Sequence, residues 1–159
     1  MHPSPFNDLI LHGENLFRTG YVHEALQAFE SVIAQEPHHV LALNNKGVIL
    51  HSLGMYAEAE QIFLDILDKD NTNTSTIFNL ASLYIEQYNI KGAESVIINH
   101  KSCLDEKDIN ELKAKLYGVK KRAKYCQYPR ENKNCKYLYG CTYKETYFKF
   151  TFKCNGTRP

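Results

Sequence analysis

The chain has 159 residues, of which 43% are hydrophobic and 23% charged, enough to bury the core of one domain with a short appendage. That size and content exclude a multidomain enzyme, a collagen and a coiled-coil rod, and no apolar run approaches the roughly 18 residues of a membrane span. The net charge of +1 hides a split, because residues 1–111 carry 6 Lys/Arg against 16 Asp/Glu while residues 112–159 carry 13 against 2. Such asymmetry predicts an acidic body and a basic tail with different partners.

The chain opens Met1-His2-Pro3-Ser4-Pro5, with neither a basic stretch nor an apolar core of the kind that directs secretion. No signal peptide or anchor is expected, and the chain reads as cytoplasmic. Beyond it the sequence repeats itself with a period of 34 residues. Gly13 recurs as Gly47, Gly20 as Gly54, Ala25 as Ala59 and Phe29 as Phe63. A looser third copy places Ile77, Ala81, Tyr84, Ala93 and Ile97 at the same spacing beyond Leu43, Gly47, Leu50, Ala59 and Phe63.

Within each unit the apolar period is helical. Leu9, Leu16 and Phe17 make one stripe, and Ala25, Phe29, Val32 and Ile33 a second. Gly20 falls between them where a helix would end, and Pro37 blocks continuation of the second. The predicted helix pairs are 7–19 with 22–35, 40–53 with 56–69, and 74–87 with 90–99. Gly13, Gly47 and Ala81 on the first helices, with Ala25, Ala59 and Ala93 on the second, permit close approach. Repeat three has Tyr88 in place of the turn glycine, so a looser third turn is expected. Asp105 to Asp108 then start a further helix over 105–123, with Ile109, Leu112, Leu116 and Val119 on one face, read as a cap on the last repeat.

These residues resemble the tetratricopeptide repeat family. Its pattern is carried here by Leu9, Gly13, Leu16, Gly20, Ala25, Phe29 and Pro37, then by Leu43, Gly47, Leu50, Gly54, Ala59 and Phe63. The resemblance covers about residues 6–100. It implies an all-α, right-handed solenoid of antiparallel helix pairs, with repeats over 6–39, 40–73 and a shortened 74–100. It also implies that the first helix of each pair lines a concave binding face.

The positions this implies are Glu14 and Phe17 in repeat one, and Asn44, Asn45, Val48 and His51 in repeat two. Repeat three supplies Phe78, Asn79, Ser82 and Ile85, and Asn7, Ile10, Leu11, Leu41 and Ser75 complete the face. Asn45 and Asn79 are one period apart, and an amide offers both donor and acceptor to a peptide backbone. Such a ladder is similar to the repeats of O-linked N-acetylglucosamine transferase, although Leu11 breaks it in repeat one. The Lys and Arg with which related repeats hold a terminal carboxylate are missing from these positions. The expected function is a scaffold or adaptor that binds a peptide segment of a protein partner, with no cofactor and no catalytic residue. Self-association is a further expectation, since the first helix has no evident N-terminal cap.

Residues 124–159 form a tail rich in Cys, Tyr and Lys. Cys126, Cys135, Cys141 and Cys154 are spaced by 8, 5 and 12 residues, but no His follows, so no metal site is assigned. Two rival readings stand beside the scaffold. One is a zinc-dependent nucleic-acid-binding protein acting through this tail, with its tyrosines stacking on bases. The other is a non-catalytic remnant of a repeat-containing glycosyltransferase.

Overall fold

A computed structural model describes residues 6–125, with side chains described to residue 121. Seven helices follow one another: α1 (Asn7–Arg18), α2 (Val22–Gln35), α3 (Val40–Ser52), α4 (Tyr56–Lys69), α5 (Thr74–Glu86), α6 (Ile90–Asn99) and α7 (Glu106–Tyr125). There are no strands among the described residues. The six repeat helices match the predicted ones to within a residue at each end. The chain divides into one compact unit over residues 1–116 and another over 117–159, the division falling inside α7. The four tail cysteines, and the strand that the aromatic run at 143–153 suggests, lie outside the described residues.

Each hairpin turns in the same way. After α1 the Gly20 N–H donates to the Phe17 carbonyl and the Tyr21 N–H to the Leu16 carbonyl, at 3.1 and 2.9 Å. This pair of bonds is a Schellman motif, which needs a left-handed residue just past the helix. Gly20 supplies it at φ 91° and Gly54 at φ 79°. The third turn corrects the expectation of looseness. Tyr88 itself adopts φ 60°, and the same two bonds form from Tyr88 to Ile85 and from Asn89 to Tyr84, at 3.1 and 2.9 Å.

The turns between repeats also converge from different residues. Glu36 ends α2 at φ −126°, ψ 88°, the extended geometry that Pro37 forces on the residue before it. Asp70 ends α4 at φ −137°, ψ 88° without a proline. There the Asp70 carboxylate accepts from the Thr72 hydroxyl and N–H at 2.6 and 3.0 Å, and these bonds hold its pKa below the usual value. The next helix is then capped. His39 Nδ1 accepts from the Ala42 N–H, Asn73 Oδ1 from the Thr76 N–H and Asp105 Oδ1 from the Asp108 N–H. Only α1, preceded by Phe6, starts without a side-chain cap among the first helices of the repeats.

The core is the repeated small–large fit. Ala25, Ala59 and Ala93 are fully buried, and so are Phe29 and Phe63. A Cβ added at Gly47 would stand 2.6 Å from the Phe63 ring, and one at Gly13 would stand 2.9 Å from Phe29. Those glycines are therefore a requirement of packing. On α7, Ile109, Leu112 and Leu116 are buried, as the predicted stripe requires.

Candidate functional site

The backbones of the first helices approach each other closely, α1 with α3 and α3 with α5, whereas those of the second helices α2, α4 and α6 stay farther apart. The stack therefore closes up on the side of the first helices and leaves the second helices splayed. Three polar links span that inner face. Glu14 Oε1 accepts from the Asn45 amide at 3.1 Å. Asn44 Oδ1 accepts from both the Thr76 hydroxyl and the Asn79 amide, at 3.0 and 3.2 Å. His51 Nε2 lies 3.0 Å from Glu86 Oε2, an ion pair when the imidazole is protonated.

Asn45 and Asn79 are half-buried on this face. Each spends one amide N–H on a neighbouring repeat, and the amide oxygen of each has no partner among the described residues. Phe17, Val48 and Phe78 are also half-buried, and Leu11 and Leu41 are exposed, at 58% and 47%. Three expected groove positions need correction. Asn44 is only 6% exposed, with its oxygen doubly engaged, so it forms floor rather than free surface. Ile10 and Ile85 are each 4% exposed and belong to the core. Ser82 Oγ is shielded from solvent and has no hydrogen-bond partner among the described residues, so that position offers little to a ligand as it stands.

Between α3 and α5 the face deepens into a cavity of about 360 Å³. Asn45, Val48, Ser75, Phe78 and Asn79 of the two first helices line it. Asp108 of α7 lines it too, and the repeat pattern does not reach that residue. The signal that could have found it is the series of caps His39, Asn73 and Asp105, which sets α7 in the place of a further first helix. Lys115, also on α7, holds its ammonium 4.9 Å from the centre of the Phe78 ring. It also bonds Glu111 at 2.8 Å, and that hydrogen bond with its charge keeps the Glu111 carboxyl below its usual pKa.

A larger cavity of about 570 Å³ opens elsewhere, between α4 and α6, over Leu80 and Tyr84 of α5. Beside it the Tyr84 hydroxyl donates to Glu60 Oε1 at 2.7 Å. Burial, and then this carboxylate, raise the phenol pKa to about 12. The cavity has an apolar floor of Leu67, Leu80 and Val96 and no ladder of amides. Among the described residues, no three His, Cys, Asp or Glu side chains converge as a metal site would require. No helix there is long and apolar enough to cross a membrane.

Comparison with known proteins agrees with this architecture. Residues 10–74 match the tetratricopeptide repeat family. Human tetratricopeptide repeat protein 7B is 32% identical over 72 residues, which are 45% of this chain and 8% of that protein. The chain thus spans a small part of that relative's length. The crystal structure of PcrH from Pseudomonas aeruginosa superposes with a TM-score of 0.64 at 19% identity, over 76% of this chain and 95% of that one. The Yersinia enterocolitica type III secretion translocator chaperone SycD superposes with a TM-score of 0.66 at 13% identity, over 78% and 89%. At these identities the likeness is one of fold. This chain is an all-α helical repeat solenoid, and residues 10–74 of it are similar to tetratricopeptide repeats.

Proposed function

We propose that the chain is a binding module without a chemical step, which holds an extended peptide segment of a protein partner along the inner face of α1, α3 and α5. The observation that carries this reading is the pair Asn45 and Asn79. They stand one repeat apart on neighbouring helices, and each has an amide oxygen without a partner among the described residues, beside a half-buried apolar side chain, Val48 or Phe78. An amide that accepts from a backbone N–H and donates its second hydrogen to a carbonyl binds main chain whatever the side chain. Exposed Leu11 and Leu41 add apolar anchors toward the first repeat. The fold shared with a protein named as a translocator chaperone supports a role in holding a segment of another protein.

The test is selection from a displayed library of random peptides on the full chain, with each selected peptide then measured by fluorescence anisotropy. Asn45→Ala with Asn79→Ala should weaken binding at least tenfold, since each hydrogen bond is worth about 0.5–1.5 kcal/mol. The fold should survive, because Asn44 keeps its bond from Thr76. Peptides that bind the double variant as well as the parent would refute groove capture.

A further inference from the structure

The cavity between α3 and α5 has a chemistry of its own within that reading. Its polar lining is the amides of Asn44, Asn45 and Asn79, the Thr74 and Ser75 hydroxyls and the Asp108 carboxylate, and Asp108 is the one charged residue of that described lining. The Asp108 carboxylate makes no hydrogen bond or ion pair among the described residues, so its charge is unmatched there. Lys115, whose ammonium meets the Phe78 ring of the cavity wall, is already balanced by Glu111. Phe78 presents an aromatic ring to the same space, with the Lys115 ammonium 4.9 Å from its centre. The body around the cavity is acidic, with 16 Asp/Glu against 6 Lys/Arg over residues 1–111.

We infer that this cavity is the receptor for an arginine side chain of the bound peptide. A guanidinium carries five N–H donors and no acceptor, in a planar fork that meets a carboxylate side-on and stacks on an aromatic face. Asp108 supplies the counter-charge, Asn45 and Asn79 take further N–H groups on their oxygens, and Phe78 takes the flat face. A lysine brings three donors on a compact, strongly hydrated ammonium and cannot span these acceptors in one plane. The volume of about 360 Å³ leaves room for the side chain and its methylene stem against Val48. This inference rests on the groove reading but adds one thing to it, a specificity for charge and shape at one position of the peptide.

The experiment titrates three small probes into isotope-labelled full-length protein and follows amide resonances by NMR. The probes are N-acetyl-arginine amide, its neutral isostere N-acetyl-citrulline amide, and N-acetyl-lysine amide. Arginine should give saturable shifts at the side-chain amides of Asn45 and Asn79 and at Phe78, with affinity at least tenfold above citrulline and severalfold above lysine. Asp108→Asn should lower arginine affinity at least fivefold and leave citrulline unchanged. The cap Asp105 stays in place in that variant, so the thermal midpoint should be preserved. Absence of shifts, shifts at other sites, or equal affinity for arginine and either analogue would overturn the inference. Its failure is separable from failure of the groove reading, because peptides that depend on Asn45 and Asn79 can be selected whether or not free arginine binds.

Discussion

Repeats two and three fold into the same hairpin from different residues. Repeat two packs Gly47 under Phe63 and turns at Gly54, while repeat three has Ala81, Ile97 and Tyr88 at those positions. A small residue under a large ring has become a slightly larger residue under a smaller side chain, and the summed volume is roughly kept, as close-packed interiors demand. The turn shows the other kind of tolerance. Tyr88 takes a backbone conformation that disfavours a β-carbon, at a cost of about 1–2 kcal/mol, because the two turn bonds and the packed helices on either side over-determine it. Packing positions are therefore exchanged in pairs, whereas the turn conformation is imposed on whatever residue occupies it.

The sharpest way to break this pairing is Gly47→Ala. The new methyl would run into the Phe63 ring, and the variant should lose about 1–3 kcal/mol despite the better helix propensity of alanine. Chemical denaturation would measure it. Adding Phe63→Ile to Gly47→Ala rebuilds the pair found in repeat three and should restore part of the loss. If the double variant were less stable than both single variants, the paired exchange would be wrong.

A smaller effect of opposite sign is expected at the turn. Tyr88→Gly should stabilise the protein by about 1 kcal/mol, a rise of roughly 2–4 °C in thermal midpoint. Gly54→Tyr should reverse it in repeat two, where a Cβ would meet open space and only the backbone objects.

The smallest effect separates Tyr84 from its counterpart Leu50. The folded protein raises the Tyr84 pKa from 10.0 to about 12, so it favours the protonated phenol over what the unfolded chain does. The contribution is complete below pH 10 and is lost as the pH rises through the folded value. Tyr84→Phe should therefore be less stable than the parent at pH 8 by up to about 1 kcal/mol, the net worth of a typical hydrogen bond, and the gap should narrow between pH 10 and 12. A gap that stays constant across that range would remove the Glu60 bond from the account.

Much of this molecule is legible in its sequence because a period of 34 is read twice over. A residue at one position vouches for the residue one repeat later, and so the helices, the small residues at their close approaches and the pair Asn45 and Asn79 could be placed before any coordinates. What escaped is what the period does not carry. Glu14 meets Asn45 at a separation of 31 residues, Thr76 meets Asn44 at 32, and His51 meets Glu86 at 35. These offsets come from the stagger of neighbouring helices, which repeat arithmetic cannot supply. The same stagger turned Asn44 under the face while its neighbour Asn45 stayed on it. Asp108 escaped because α7 follows the last cap at a spacing of 32 rather than 34 residues, and none of the small–large pattern continues into it.

The doubly accepting oxygen of Asn44 also acts as a ruler. By engaging Thr76 and Asn79 together it pins α5 against α3 at two points along the helix and so fixes the step from one repeat to the next. Packed helices stand about 8–10 Å apart, and an extended chain advances about 3.3 Å per residue. A strand lying across this face would therefore come into phase with successive helices about every third residue. Its affinity would be written in triplets, and a one-residue insertion in the bound segment would throw every later anchor out of step.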